Sequence, residues 1–198
     1  VVYSVGTKWK KLNVPGEGKF LGKGVSYCAT CDAPLFQDQE VAVIGGGDAA
    51  LTSALLLSEY AKKVYIIYRR DEFIRPEPVW VDKVKKNKKI EIIFNQEITE
   101  IFGDKFVDGV KLKSGKTMDL NGVFIEIGYN PITYPLEPLK VKKSKKGYIE
   151  TTRSQETNIT GLFAAGDITD RELKQIINAA SQGSIAVYNI YKELQKNE

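Results

Sequence analysis

The two cysteines of this chain stand three positions apart, as Cys28-Ala29-Thr30-Cys31, with Asp32 directly after them. Two cysteines placed at random would land at this spacing about once in a hundred chains of this length. Sulfurs so spaced can close a small disulfide ring. The first turn of a helix lowers a thiolate pKa, so that thiol–disulfide exchange proceeds near neutral pH. Two other readings stay open. Zinc would need two further ligands from carboxylates or another subunit, because the sequence has no third cysteine and no histidine, and inert thiols would need only burial. Asp32 is the one nearby group able to give or take a proton, although such a residue also caps helices. With histidine absent, imidazole bases and histidine-ligated metals are excluded, and proton transfer falls to a carboxylate, a thiol or a lysine.

The second constellation is Gly45-Gly46-Gly47-Asp48-Ala49-Ala50, a fit to Gly-X-Gly-X-X-Gly/Ala. A bare match is weak, and a plain strand-to-helix turn would also satisfy it. Here the match follows an apolar run, Val41 to Ile44, and opens a helical repeat of Leu51, Ala54, Leu55, Leu57 and Ala61. Gly45 permits the tight turn, Gly47 lets backbone approach a pyrophosphate, and Ala50 lets helix and strand pack closely, with the helix N-terminus facing the phosphates. A second apolar strand, Val64 to Tyr68, follows about twenty residues after the glycines, where the nucleotide is chosen. Carboxylates there suit the ribose hydroxyls of NADH, whereas guanidinium groups suit the 2′-phosphate of NADPH. Arg69, Arg70 and Arg75 follow Tyr68, which favours NADPH, and Asp71 and Glu72 are the acids that could pair with them.

These residues need a scaffold, and the periodicity from residue 40 is that of a βαβ unit with parallel strands. A helix is expected around Pro78 to Lys86. Strands are expected over 91–95, 97–102, 106–112, 116–120 and 122–127, with Ser114-Gly115 as a turn. Further strands are expected at 147–150 and 161–165, and a long helix over 171–194. Residues 8–24, with Pro15, Gly16, Glu17, Gly18, Gly22 and Gly24, read as a polar crossing, and Gly128-Tyr129-Asn130-Pro131 as a second one.

The 198 residues, 42% hydrophobic, suffice for one large or two small domains, and two are favoured. Lysine and arginine exceed acids by 29 to 25. The lysine runs 83–89 and 140–146 lack interleaved aromatics, so solvated helix ends and turns are favoured over nucleic-acid binding. No apolar run approaches the ~18 residues a membrane span needs, and the two closely spaced cysteines argue against an extracellular disulfide framework. The expectation is a soluble, cytoplasmic protein that binds neither membrane nor nucleic acid.

Taken together, Gly24-Val25-Ser26-Tyr27-Cys28-Ala29-Thr30-Cys31-Asp32, the glycine motif at 45–50, Arg69-Arg70 and Gly161-Leu162-Phe163-Ala164-Ala165-Gly166-Asp167 resemble the signatures of thioredoxin reductases of the low-molecular-weight bacterial and archaeal type, in the family's order. The resemblance implies an α/β, three-layer, Rossmann-like FAD/NAD(P)-binding fold with an NADPH domain inserted into an incomplete FAD domain. Residues 13–131 would be the NADPH insertion carrying the Cys-X-X-Cys, and residues 1–12 with 132–198 the partial FAD domain. The family's FAD fingerprint would lie before Val1. Ser4-Val5-Gly6 stands where the family usually has Ala-Thr-Gly, and Lys174-Gln175 where it commonly has Arg-Gln. The implied reaction carries hydride from NADPH to FAD, then electrons to the disulfide, then to thioredoxin or a similar small redox protein. By analogy Cys31 would face the flavin, Cys28 would attack the partner disulfide, and Asp32 would be the acid. Gly45, Gly46, Gly47, Asp48, Ala49, Arg69, Arg70 and Arg75 would hold NADPH, while Gly166, Asp167, Lys174 and Gln175 would meet FAD. The crossings would be hinges between two catalytic orientations, and the full-length family implies a homodimer. The alternative is a non-catalytic NADPH-binding remnant, or a subunit completed by a separate FAD half. Strands that lose their neighbours would leave apolar surface exposed, so association or disorder at the termini is also expected.

Overall fold

Successive residues of a strand point to opposite faces of its sheet, and Val41, Ala42, Val43 and Ile44 are all buried, so this run must be covered on both sides. A computed structural model, describing residues 1–74, 76–171 and 173–195, shows what covers it. In chain order its elements are β1 (Val2–Tyr3), β2 (Thr7–Trp9), β3 (Val25–Ser26), α1 (Ala29–Asp32), β4 (Glu40–Ile44), α2 (Asp48–Tyr60), β5 (Lys63–Ile67), α3 (Pro78–Lys86), β6 (Ile90–Ile93), β7 (Ile98–Phe102), β8 (Gly109–Leu112), β9 (Thr117–Asp119), β10 (Gly122–Ile125), β11 (Tyr129–Pro131), β12 (Phe163–Ala164) and α4 (Ile176–Gln195). Turns of 3₁₀ helix lie at Ala33–Phe36, Tyr134–Leu139 and Gly166–Ile168.

The chain divides into two compact units, residues 10–128 and residues 1–9 with those from 129 onward. The changeovers fall at Lys10 and Gly128, a few residues from the 13 and 131 that the resemblance implies. In the continuous unit a parallel sheet runs in the order β3-β10-β4-β5-β6. Val41, Val43, Val64 and Ile66 face α2, Val84 of α3 and the turn at Ala33–Phe36. Ala42, Ile44, Ile67, Val123 and Ile125 face the other way, onto Ile98, Ile101, Val110 and Leu112 of an antiparallel sheet, β7-β8-β9. The result is three layers, with helices on one face of the parallel sheet and a second sheet on the other. Burying each such aliphatic side chain contributes about 1.5–3 kcal/mol before entropy is charged against it.

The discontinuous unit pairs β1 with β12 in parallel and β2 with β11 antiparallel. Its small core gathers Leu136, Val141, Ile149, Leu162, Ala164 and Ile168, with Tyr3, Ile132 and Ile159 against them. Apolar side chains remain outside it: Ile176 and Ile177 of α4 are 90% and 75% exposed, and Val187, Tyr188, Tyr191 and Leu194 are exposed farther along.

Several sequence expectations are corrected. Residues 147–150 form no strand; Ile149 makes only isolated bridges, to Lys143 and Thr169, and the lysines before it and Thr151, Thr152 and Arg153 after it leave no alternating apolar pattern to extend. The last helix begins at Ile176; just before it, the Lys174 ammonium turns back onto the backbone carbonyls of Asp167 and Thr169. The two supposed crossings contain strands, β2 and β11, that pair with each other. Val25–Ser26, taken as part of a motif, is an edge strand beside β10. Among the described residues no helix is long and apolar enough to cross a membrane.

Candidate active site

Cys28 ends the edge strand's extension and caps α1, so its backbone is extended while its neighbours begin to coil. The cap brings the Cys31 N–H to Cys28 Sγ at 3.2 Å, and the Asp32 N–H to the Cys28 carbonyl at 3.1 Å. Cys28 and Cys31 are joined as a disulfide. Cys31 is exposed and Cys28 half-buried. Ser26, only 4% exposed, binds the motif together. Its hydroxyl donates to Asp32 Oδ2 at 2.6 Å and accepts the Cys28 N–H at 3.0 Å. The carboxylate that follows Cys31 is thus held by one hydroxyl, and it makes no side-chain cap bond to the 3₁₀ turn that begins after it.

The glycine run connects β4 to α2, as its spacing suggests. Each glycine has its own reason. Gly45 has φ +147°, and a Cβ there would lie 2.3 Å from the Glu126 carbonyl and 3.0 Å from Ala50 Cβ. At Gly46 a Cβ would strike the Tyr68 ring at 2.4 Å. At Gly47, the N-cap of α2, it would meet nothing within 4 Å. The floor of the cradle is therefore closely packed and its mouth is clear, with helix N–H groups facing it, as a pyrophosphate requires. Asp48 has a further use: its Oδ1 accepts the Glu77 N–H at 2.8 Å, joining the start of α2 to the start of α3. Ala49 is exposed on the first turn.

Tyr68 follows β5, stacked on Phe73 with ring centroids 5.7 Å apart, and Phe73 meets Phe94 edge-on at 5.1 Å. Arg69 is exposed and Arg70 half-buried, the latter's carbonyl accepting the Asn95 N–H. Among the described residues neither arginine is in an ion pair; the pairs that form join lysines to glutamates. Arg75 lies outside the described residues.

A residue the sequence gave no reason to notice sits at the switch between β4 and β10. Glu126 follows β10, and its carboxylate accepts the Ser53 hydroxyl of α2 at 2.9 Å. Burial pushes its pKa above the ordinary carboxylate value, with the Ser53 bond opposing.

In the discontinuous unit, Thr7, Trp9, Tyr129, Tyr148, Asp167 and Lys174 line a cleft of about 340 Å³. Gly166 has φ +81°, and its N–H donates to the buried Gln182 side chain at 2.6 Å. Lys174 Nζ stands 4.2 Å from the Tyr148 ring centroid. Burial lowers the Lys174 pKa, Asp167 and Asp170 oppose that, and Lys146 adds to it. Gln175 is exposed. The sequence places Asp167 and Lys174 together; the aromatic walls of the cleft come from segments far apart in the chain and could not be read from any motif.

The sequence profile of the pyridine nucleotide-disulphide oxidoreductases matches residues 1–183. The chain is 39% identical over 207 aligned positions to a thioredoxin reductase of Peptoclostridium litorale, covering 99% of this chain and 65% of that one. It is 38% identical over 205 to that of Bacillus subtilis, with 99% and 64% covered. Among solved structures, Lactococcus lactis thioredoxin reductase superposes with a TM-score of 0.83 at 35% identity, over 96% of this chain and 64% of that one. The T. acidophilum enzyme gives 0.82 at 39%, over 98% and 65%. The chain spans a little under two thirds of the length of these relatives. With the disulfide, the glycine cradle and the α/β layers in place, the chain belongs to the thioredoxin reductase family of pyridine nucleotide-disulphide oxidoreductases.

Proposed function

We propose that this chain carries the nucleotide and dithiol machinery of an NADPH-dependent thioredoxin-disulfide reductase. The observation that carries this reading is that one compact unit holds both a Cys-X-X-Cys disulfide whose neighbouring carboxylate, Asp32, is held by the Ser26 hydroxyl and a glycine cradle whose clear position is Gly47. When bound, NADPH supplies a hydride and FAD relays the two electrons to the disulfide. Gly45, Gly46, Gly47, Asp48 and Ala49 would form the pyrophosphate cradle. Arg69, Arg70 and Arg75 would take the 2′-phosphate as fixed cations. Gly166, Asp167, Lys174 and Gln175, with the aromatic cleft beside them, fit the polar and planar parts of a flavin nucleotide.

Two electrons and two protons convert the disulfide to two thiols, and Asp32, next to Cys31 in the chain, would pass a proton at a sulfur. The Cys28 thiolate then attacks one sulfur of a partner disulfide and displaces the other, forming a mixed disulfide. Attack by Cys31 on the Cys28 sulfur releases the partner as a dithiol and restores the Cys28–Cys31 bond. The partner class is thioredoxin or a similar small redox protein in a reducing compartment such as the cytoplasm, and a homodimer accompanies this reading.

The test measures Kd for NADPH and NADH, then absorbance after incubation with FAD, desalting and anaerobic NADPH. NADPH should bind about tenfold or more tighter than NADH, because bidentate guanidinium–phosphate bonds are lost with the 2′-phosphate. Equal affinities would remove the nucleotide assignment. Retained flavin that bleaches with NADPH would assign the whole relay to this chain. NADPH binding without retained flavin would assign it the nucleotide and dithiol part, to be completed by a separate FAD half.

A further inference from the structure

Glu17 is 5% exposed, and a carboxylate so deeply placed is costly unless its oxygens find donors. It finds three. Leu12 N–H donates to Oε1 at 3.0 Å and Asn13 N–H to Oε2 at 2.7 Å, while the Tyr27 hydroxyl donates to Oε1 at 2.5 Å. The segment around it is fastened as well. Pro15 accepts the Ile101 N–H at 2.9 Å. Gly16, at φ +88°, lies so close to the Ile101 carbonyl that a Cβ would overlap it. Glu17 is thus held against β7 and cannot yield toward either set of donors without breaking the other.

One set of donors is backbone just inside the boundary at Lys10; the other belongs to the residue before Cys28. Tyr27 lies between Ser26, whose hydroxyl holds Asp32 and the Cys28 N–H, and Cys28 itself. The direction in which the chain leaves β3 and enters the α1 cap is therefore set at Tyr27. Glu17 and Ser26 are both buried polar side chains of this unit, and the half-buried Tyr27, next to Ser26 in the chain, reaches Glu17 with its hydroxyl.

We propose that Glu17 is a positioning residue for the dithiol: through the Tyr27 hydroxyl it fixes the Ser26–Cys28 backbone that presents the Cys28–Cys31 pair to Asp32. Glu17 touches neither sulfur. It acts by holding the reduced pair, whose sulfurs can separate, in the arrangement that the disulfide enforces covalently. This rests on reading Cys28 and Cys31 as an exchanging dithiol.

The test is equilibration of the full chain with glutathione, in which two molecules of reduced glutathione and the disulfide give the dithiol and oxidised glutathione. The equilibrium constant is read by trapping free thiols for the wild type, Tyr27→Phe, Glu17→Gln and Ile101→Val, alongside Tm. Tyr27→Phe keeps the ring and loses the hydroxyl; it should shift the constant by about threefold to tenfold, the range expected for losing one buried hydrogen bond. Glu17→Gln should shift it in the same direction. Ile101→Val keeps the backbone and Cβ that meet Pro15 and Gly16, trims one methyl from the same layer, and should lower Tm while leaving the constant unchanged. Equal constants in Tyr27→Phe and wild type, or an equal shift in Ile101→Val, would overturn the proposal. If Glu17→Gln does not fold, Tyr27→Phe still decides. A wild-type disulfide that does not exchange with glutathione at all would instead overturn the dithiol reading.

Discussion

A hydroxyl that donates to one group while accepting from another holds both in place, and Ser26 does this between Asp32 and the Cys28 N–H. Ser26→Ala should cost about 1–3 kcal/mol, because the half-buried Asp32 carboxylate and Cys28 N–H lose their partner, and should slow reduction of the disulfide by dithiothreitol. Urea denaturation with stopped-flow thiol release checks both; full stability with an unchanged rate would show that Asp32 is held by other means. Glu126 bears on pH. Its folded pKa is raised above the 4.5 of a free side chain by burial, so over the interval above 4.5 the folded state binds more protons than the unfolded one. Stability should fall as pH rises through that interval. Glu126→Gln should lose this slope and be at least as stable as wild type at neutral pH, read from urea midpoints across pH 4 to 8. Cys28, Cys31 and Asp32 could be picked out in the sequence because their spacing carries the chemistry. Ser26, Tyr27, Glu17 and Glu126 could not, since what matters for each is a partner that only the fold supplies.

At the scale of elements, Gly46 and Gly47 make separable predictions. Gly46→Ala must displace the Tyr68 ring and should destabilise by about 1–3 kcal/mol, the usual cost of overpacking. Gly47→Ala meets open space and should leave Tm nearly unchanged while weakening NADPH binding, because the added methyl fills the approach to the pyrophosphate. Calorimetry and nucleotide titration of both variants test this; Gly47→Ala binding NADPH as wild type would place the phosphates elsewhere. α3 runs over Pro78–Lys86 as the sequence indicates, since proline suits the first turn of a helix and fixes its start. β3 went unread because two residues carry no period. β2 and β11 went unread because each resembles a loop until the other pairs with it.

At the scale of the molecule, the exposed row on α4, from Ile176 through Val187, Tyr191 and Leu194, follows helical spacing and forms a stripe. Such a stripe favours association in water. Sedimentation equilibrium should show mass rising with concentration, and the double substitution Ile176→Glu, Tyr191→Glu should hold the chain monomeric; a wild type that stays monomeric at high concentration would show the stripe to be innocuous. The changeovers between the two compact units, at Lys10 and Gly128, fall beside the paired strands β2 and β11, where glycine and proline punctuation marks no single boundary. The parallel pairing of β1 with β12 joins Val2 to Phe163 across almost the whole sequence. Residues 10–128, by contrast, contain all they need for their own core. On a ribosome the layers that carry the dithiol and the glycine cradle can therefore close while β1 still waits for a strand not yet made, and the order of synthesis becomes an order of folding.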